Sequence, residues 1–204
     1  MIRFSRPAFS EYRNEAHSRH PGGEHKMGEV SAASPAVIAV KDELRSVMRN
    51  FATGVCVVST FTGGPSVRRH NAVTINSLTS VSLAPPLVSV SLRSDSAFLT
   101  EMLDSRVWGV SVLDGGAEDL ARIFARPDKE RRMALRSLPT TPGENTGTLI
   151  LDSVAWMECR YHQHVVAGDH TLVIGEVVSL GLGESRSPLI FLHGGFHRLV
   201  GDHA

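Results

Sequence analysis

The sequence predicts a mainly β protein, built as a closed or partly open antiparallel barrel with short flanking helices. Six or seven stretches rich in β-branched residues are separated by turn-forming residues. Only three short stretches have helical periodicity, and they occur singly among the strands. A doubly wound parallel sheet needs a crossover helix between successive strands, so that class is disfavoured.

Composition excludes several classes of partner. The chain has 204 residues, enough for one domain with its own core, and 21 Lys+Arg balance 21 Asp+Glu. We therefore expect no nucleic acid and no anionic membrane as partner. No apolar stretch reaches the roughly 20 residues that span a bilayer. With two cysteines and no disulfide framework, a cytoplasmic protein in a reducing compartment is expected.

The first part of the chain differs in composition from the rest. Residues 1–38 are polar and have no sustained hydrophobic period, which predicts a disordered or loosely ordered arm. The folded domain is expected over residues 39–204. Its first element is a helix, because apolar residues follow the i, i+3, i+4, i+7 pattern. These residues are Leu44, Val47, Met48 and Phe51.

Strands dominate the next section. A buried strand is predicted over 54–61 and ends at the Gly-Gly-Pro of 63–65. Residues 72–82 mix β-branched residues with Thr, Asn and Ser. Pro85-Pro86 interrupts them, and residues 87–92 are again a strand.

A helix, a strand and a second helix follow. Ser94 or Ser96 is a natural N-cap, because its hydroxyl can accept a free N–H of the first turn. The apolar stripe of this helix is Phe98, Leu99, Met102 and Leu103. Residues 107–113 are predicted as a strand. Glu118 and Asp119 open a helix whose inward residues are Leu120, Ile123 and Phe124. Residues 126–145 are basic and then Pro/Gly-rich, which indicates a surface excursion. Within it, a solvated helix face is favoured for 129–132, and contact with a phosphate is the alternative.

The C-terminal part predicts a hairpin. Residues 154–166 alternate, turn at 167–170, and are followed by a returning strand over 171–180. One face carries Ala155, Met157, Cys159, Tyr161 and Val165, and the other carries Glu158, Arg160, His162 and His164. Residues 188–192 and 196–200 end the chain as short strands. Cys56 and Cys159 lie in apolar strands, so both are expected to be buried and inert.

A first candidate site is a run of small polar side chains in a strand-like segment. It consists of Thr74, Asn76, Ser77, Thr79, Ser80 and Ser82. Such groups supply donors and acceptors without bulk, so a flat polar heteroaromatic ring could approach the backbone closely. On composition alone, an ordinary Ser/Thr-rich edge strand is the favoured alternative.

Two shorter stretches are also candidates. Arg93-Ser94-Asp95-Ser96 at a helix start could cradle an anion, although Asp95 opposes this and ordinary capping is equally compatible. Gly168-Asp169-His170 could fix one imidazole tautomer and present the ring to a ligand, or be plain turn chemistry. His162 and His164 could hold a metal, but a zinc site needs more ligands and a solvated pair is favoured.

Taken in order, these pieces resemble the short-chain flavin reductase family. The resemblance covers residues 42–200. The matching stretches are Phe51-Ala52-Thr53-Gly54-Val55, Val73 through Val88, Val110 through Leu113, Gly168-Asp169-His170-Thr171, Ile174 through Val177, Pro188 through Phe191, and Gly194-Gly195-Phe196. The chain departs from the usual pattern at Ala72, Leu78, Ala84 and Phe196, where the family often has Gly, Phe, Asp and Tyr.

The resemblance implies a split, Greek-key-like β-barrel that forms a homodimer and holds FMN or FAD at the subunit junction. It assigns Thr74, Asn76 and Ser77 to the isoalloxazine and ribityl parts, with Ile75 and Ser80 also among the cofactor-binding residues. It assigns Ser91, Arg93, Ser94 and Ser96, assisted by Lys129, to the phosphate end. Gly168, Asp169 and His170 would meet NADH or NADPH, with His170 positioning the nicotinamide.

The implied activity is NAD(P)H:flavin oxidoreduction that supplies reduced flavin to a partner monooxygenase. The two cofactors carry out hydride transfer themselves, which agrees with a polar site that has no obvious acid, base or nucleophile. Two alternatives stay open: a reductase that keeps its flavin and reduces a corrinoid or ferric complex, and a non-catalytic flavin-binding protein. The choices between FMN and FAD and between NADH and NADPH are also open.

Overall fold

The computed structural model of the chain describes residues 35–64, 66–184 and 186–199. Residues 1–34 of the predicted arm lie outside the described residues. The first helix, α1, begins at Pro35, so residues 35–38 are helical and do not belong to the arm. The folded part therefore starts four residues earlier than the sequence predicts.

The described residues form twelve strands and four short helices, and the predicted mainly β class is confirmed. The helices are α1 (Pro35–Met48), α2 (Ala97–Ser105), α3 (Glu118–Phe124) and α4 (Asp128–Leu135). The strands are β1 (Thr53–Gly54), β2 (Cys56–Thr62), β3 (Arg69–Ile75), β4 (Thr79–Leu83), β5 (Pro86–Arg93), β6 (Val107–Val112), β7 (Thr140–Pro142), β8 (Leu149–Leu151), β9 (Ala155–Ala167), β10 (His170–Leu182), β11 (Leu189–Leu192) and β12 (Gly195–Arg198). None of these helices has both the length and the apolar character needed to cross a bilayer.

Seven strands form one antiparallel sheet in the order β3-β2-β6-β9-β10-β5-β4. Its two edge strands, β3 and β4, are consecutive in the chain and are joined by residues 76–78 only. Four residue steps span at most about 14 Å, so the sheet must curl until its edges approach each other. This gives the predicted split barrel. We call residues 76–78, where the edges meet, the seam.

Two apolar cores lie on opposite faces of this sheet. Alternate residues of β2 enter different cores: Cys56 and Val58 pack with α2, whereas Val57, together with Val55 just before the strand, packs with residues of α3, α4, β8 and β11. Successive side chains of a strand point to opposite faces. Because both faces are covered, β2 reads as a continuous apolar run rather than as an alternating one.

The first helix does not bury its apolar stripe in the described structure. Leu44, Val47 and Phe51 are 60%, 67% and 63% exposed. The periodicity therefore predicts the helix correctly, but the stripe is not part of either core. Helix α2 behaves as predicted, with Ser96 as its N-cap and Phe98, Leu99 and Met102 buried.

The prediction of a surface excursion over 126–145 is only partly right, because most of these residues are exposed but the segment is not irregular. This segment contains α4 and β7, and Leu135 is buried in the second core. The predicted solvated face at 129–132 is only partly solvated: Lys129 and Glu130 are exposed. Arg131 and Arg132 are largely buried and pair with Asp128, and Arg132 also bonds Glu101. Most residues of α4 are charged, so the sequence alone does not indicate that Leu135 packs this helix against the second core.

The predicted hairpin is present, but its faces are partly wrong. Gln163 pairs with Ile174 and Tyr161 with Gly175, so His162 is an extra residue in β9. A bulge of this kind reverses the alternation beyond it. His164 consequently lies with Tyr161, whose hydroxyl is 2.8 Å from His164 Nδ1, and Val165 lies on the other face.

Glu158, which the sequence places on the polar face of this strand, is buried and only 1% exposed. Its carboxylate accepts hydrogen bonds from the N–H of Thr146 at 2.7 Å, the hydroxyl of Thr146 at 2.7 Å and the N–H of Asn145 at 3.1 Å. Burial acts to raise the pKa of Glu158, but these hydrogen bonds outweigh it and the pKa is lowered.

Both cysteines are free and buried, as predicted. Burial raises the pKa of Cys56 and of Cys159 to about 12. Since the thiolate is the reactive form, neither side chain is a plausible nucleophile.

Candidate active site at the barrel seam

The seam is tied to the barrel wall by one serine. The hydroxyl of Ser77 accepts a hydrogen bond from the N–H of Ser91 at 3.1 Å and donates one to the carbonyl oxygen of Ser91 at 3.0 Å. This pair brings the predicted flavin segment against β5. The next residue outward, Asn76, is exposed, and its amide has no hydrogen-bond partner among the described residues.

The two residues before the seam direct their side chains away from solvent. The Thr74 hydroxyl donates to the carbonyl oxygen of Ala121 in α3 at 2.7 Å, and Ile75 is buried in the first core. Their side chains are therefore committed to packing, and only their backbone groups can meet a ligand. Ser80, in β4 beyond the seam, is exposed.

The start of α2 provides the second part of the site. Ser94 donates its N–H to the carbonyl oxygen of Asp169 at 3.0 Å, and its hydroxyl is 2.9 Å from that of Thr171. Ser96 accepts the N–H of Leu99 at 3.3 Å as the N-cap. The N-terminus of α2 comes directly after the end of β5, and the N-terminal end of a helix attracts anions.

Arg93 has an internal partner. Its guanidinium forms a bidentate pair with Asp95 at 3.0 and 2.6 Å, and both side chains are exposed. The side-chain hydrogen bond from Arg93 lowers the pKa of Asp95. A solvated pair of this type is weakly held, so an incoming phosphate could compete for the guanidinium.

The turn between β9 and β10 faces this helix start. Gly168 has a φ of +64°, which a side chain would strain. His170 lies opposite Arg93 in the β10–β5 register, and its Nδ1 is 2.8 Å from Asp169 Oδ1. The hydrogen bond to His170 lowers the pKa of Asp169. Because the carboxylate accepts the Nδ1 proton, Nε2 is left as the free position of a neutral ring.

These stretches converge because β5 links them. Ser91 bonds the seam, and Arg93, two residues or about 7 Å further along the strand, lies beside the Gly-Asp-His turn. Lys129 is not joined to this group by any described contact. It is exposed on α4, which packs against β3.

A cavity of about 530 Å³ opens beside Asn76. Its other lining residues come from the end of α1, from β1 and from the β11–β12 hairpin: Arg45, Met48, Arg49, Phe51, Thr53, Phe191, Leu192 and Gly194. The volume lies within the usual range for small-molecule sites. A larger cavity of about 570 Å³ beside Glu158 contains none of the predicted site residues.

The described residues contain no group of three or more His, Cys, Asp or Glu side chains that could hold a metal ion. His162 and His164 are separated by the bulge and do not form such a group. The site at the seam is therefore built from hydroxyl, amide, guanidinium and imidazole groups.

Residues 48–200 match the flavin reductase like domain. The chain belongs to the flavin reductase-like family. A relative named NADH-dependent FAD reductase, from Streptomyces globisporus, is 36% identical over 182 residues, covering 86% of this chain and 96% of the relative. The 4-hydroxyphenylacetate 3-monooxygenase reductase component from Thermus thermophilus is 30% identical over 161 residues, covering 79% of this chain and 98% of the relative.

A solved structure agrees with this membership. The NADH:FAD oxidoreductase of Streptomyces globisporus C-1027, in complex with NAD and FAD fragments, matches with a TM-score of 0.73 at 32% identity. The match covers 86% of this chain and 100% of that one. The split barrel seen here is thus the fold of a flavin reductase-like protein.

The residues at the seam of this flavin reductase-like chain fit a flavin. The 530 Å³ cavity has aromatic side chains for the rings, and the free Asn76 amide supplies both a donor and an acceptor. The N-terminus of α2 with Arg93 suits an anionic end. The cavity and the start of α2 are linked through the hydrogen bonds between Ser77 and Ser91 of β5.

The sequence analysis missed the contribution of the residues around α1. Arg49 donates to the carbonyl oxygen of His193 at 3.0 Å and accepts the His193 N–H through its own carbonyl at 2.8 Å. Phe191 and Phe196 are in edge contact at 5.5 Å between ring centres. The Phe-Ala-Thr-Gly and Gly-Gly-Phe stretches were the only available signal, and their convergence needed the fold.

Proposed function

We propose that this chain catalyses hydride transfer from NADH or NADPH to FMN or FAD. The observation that carries the proposal is the convergence of Ser77, Ser91, Arg93 and His170 along one short section of β5 and its neighbours, beside the cavity of Asn76. The family membership and the names of the relatives support the same activity.

Flavin and nicotinamide supply the redox chemistry when both are bound, so the protein has to bind, orient and exclude water. Asn76 would bind the polar edge of the ring system through its free amide. Ser77 holds the seam backbone at a fixed distance from β5, so that nearby N–H groups are already in place for developing negative charge. Phe51 and Phe191 would cover the rings from the side of the cavity.

The two ends of the site have different tasks. Arg93, Ser94 and Ser96 would hold the phosphate end of the flavin at the N-terminus of α2, with Ser91 beside them. His170 would position the nicotinamide nucleotide, since Asp169 fixes its tautomer and leaves Nε2 available. We assign no proton transfer to His170.

We also propose that the protein is a homodimer and that a flavin-dependent monooxygenase receives the reduced flavin. Apolar side chains are exposed on three strands of the sheet, where a second copy could cover them: Val81, Leu83, Val165, Val166, Leu172, Leu180 and Leu182. The relative from Thermus thermophilus is named as a reductase component. A cytoplasmic location is proposed with them, supported by the two free cysteines.

Gel filtration followed by an assay with added cofactors tests the activity. A colourless protein that oxidises NADH or NADPH only when FMN or FAD is added would support the flavin supplier. Yellow flavin that co-elutes and reduces a corrinoid or a ferric complex would support the reductase with a retained flavin. Flavin binding without any nicotinamide oxidation would leave only the non-catalytic alternative.

A further inference from the structure

A basic groove of about 240 Å³ lies at the far end of β3 from the seam. It is lined by Arg68, Arg69, His70, Arg132 and Arg136, and no carboxylate is among its lining residues. Six residues separate His70 from Asn76, so the groove is about 20 Å from the seam along the strand. The whole chain carries no net charge, so this concentration of cations is local.

Only part of this positive charge is neutralised. Arg132 bonds Glu101 and Asp128, and Arg131 also pairs with Asp128, so two guanidiniums share two carboxylates. Arg68, Arg69 and Arg136 have no ion pair within the described part of the chain. Three guanidinium groups around one groove are therefore uncompensated.

The groove is also preorganised. The Arg68 guanidinium lies over the Phe61 ring at 4.4 Å and donates to the carbonyl oxygen of Gly147 at 3.4 Å. Gly147 has a φ of +71°, and a side chain there would collide with the Arg68 guanidinium. The Phe61 ring and the Gly147 carbonyl oxygen thus orient this cation.

The rest of the lining is a histidine and two apolar side chains. His70 contacts Phe61 edge to face at 5.6 Å, and its buried Nδ1 has no hydrogen-bond partner. The remaining lining residues, Leu135 and Leu149, belong to the second core. Apolar walls of low polarity strengthen the attraction between fixed cations and an anion.

We propose that this basic groove binds a phosphate-bearing anion, at a site separate from the seam. Guanidinium groups bind phosphate through paired, charge-assisted hydrogen bonds, and Arg69 and Arg136 have their donors free for this. The volume suits a phosphate or diphosphate group and is too small for a whole dinucleotide. The phosphate could belong to a free inorganic anion or to one end of a nucleotide.

Calorimetric titration of the full chain tests the proposal. The probes are inorganic phosphate, pyrophosphate, AMP and 2′,5′-ADP, each at the same sodium chloride concentration. The test variant is the double substitution Arg69→Ala with Arg136→Ala. Both side chains are exposed and unpaired, so the variant should fold, and its thermal unfolding midpoint checks this.

Arg160→Ala is the matched control, because Arg160 is exposed and unpaired on β9. Arg93→Ala removes the arginine proposed to hold the phosphate end of the flavin.

We expect saturable binding in the wild type, in Arg160→Ala and in Arg93→Ala, and at least about tenfold weaker binding in the folded double variant. Binding of pyrophosphate but not of the nucleotides would identify a free anion, and stronger binding of AMP or 2′,5′-ADP would identify a nucleotide. Equal affinity in the double variant, loss of binding in Arg93→Ala instead, or no binding of any of the four phosphate compounds to the wild type would overturn the proposal. Flavin reduction should persist in the double variant, so this test is independent of the proposed function.

Discussion

The hydroxyl of Ser77 hydrogen-bonds both main-chain groups of Ser91, at 3.1 Å to the nitrogen and 3.0 Å to the oxygen. Through this single side chain, the link between the two edge strands of the sheet is attached to β5. The same strand continues to Arg93, opposite His170. The fold therefore determines the spacing between the proposed flavin end and the proposed nicotinamide end of the site.

Replacing Ser77 with Ala should weaken both the fold and the site. The change leaves the N–H and the carbonyl oxygen of Ser91 without this partner, so we expect a loss of about 1–2 kcal/mol in the free energy of unfolding. The KM for flavin should rise several-fold. Urea unfolding and steady-state kinetics measure the two effects. Ser80→Ala is the stability control, since the exposed Ser80 hydroxyl has no partner in the described structure. Equal unfolding midpoints for the two variants would contradict the role given to Ser77.

Replacing His170 with Ala should affect the nicotinamide substrate selectively. If the ring positions the nucleotide, the KM for NADH or NADPH should rise by about tenfold while the KM for flavin changes little. His164→Ala is the control, because His164 bonds Tyr161 elsewhere on the hairpin. A fall in kcat alone, with loss of a pH-dependent step, would show that His170 transfers a proton instead.

Glu158 should make stability depend on pH. Its pKa is lowered in the folded state, so its ionised form is stabilised there by the hydrogen bonds from Asn145 and Thr146. This contribution is fully present above the ordinary value of 4.5 and is lost as the pH falls through the lower folded value. Glu158→Gln should cost about 2 kcal/mol at neutral pH, and the difference from the wild type should shrink on acidification.

Urea midpoints measured from neutral to acidic pH provide the test for Glu158. Glu144→Gln serves as the control, since Glu144 lines the same cavity but is exposed. If Glu158→Gln lost the same stability at every pH, the lowered pKa could not be the source of the effect.

The thiols of Cys56 and Cys159 should be unreactive in the folded protein. Burial raises the pKa of each to about 12, so almost no thiolate is present at neutral pH. Titration with a thiol-specific chromogenic reagent should detect no rapid reaction without denaturant and two thiols in urea. One thiol that reacts quickly in the native protein would argue against the described core.

The exposed apolar strands should form a subunit interface. Light scattering after gel filtration should give twice the chain mass of 22.1 kDa. Val166→Asp places a charge where Val166 is 67% exposed on β9, and it should shift the protein to the monomer. Val67→Asp is the matched control, because Val67 is 70% exposed in the turn before β3. A wild-type monomer, or a dimer unaffected by Val166→Asp, would contradict the proposal.

The sequence predicts most of the barrel because its strong signals are local. Runs rich in β-branched residues predict several strands of the large sheet, and Ser96 and the acidic pair at 118–119 predict the starts of α2 and α3. Residues 72–82, taken as one stretch, instead belong to two edge strands, β3 and β4, with the seam between them. What it missed depends on tertiary contacts. Glu158 can be buried because the backbone N–H groups of Asn145 and Thr146 bind its carboxylate. The bulge at His162 is not marked by any residue type that would predict it.

The candidate site was predictable in part. The motif order identified Asn76, Ser77, Arg93 and His170, and the structure shows where these residues lie. The sequence did not predict that the Thr74 side chain is hydrogen-bonded to α3, nor that the residues after α1 line the cavity. The direction of a side chain at the end of a strand depends on what packs against each face of that strand. A single sequence does not show those packing partners.

The most direct test of the central claim is an anaerobic titration of flavin with reduced nicotinamide in the presence of the purified chain. Each of the four pairs of FMN or FAD with NADH or NADPH is mixed with catalytic amounts of protein, and the absorbance of the flavin and of the nicotinamide is followed. The proposed function predicts that at least one pair loses oxidised flavin and reduced nicotinamide in equal amounts, far faster than without protein. Flavin that stays oxidised with all four pairs would contradict it.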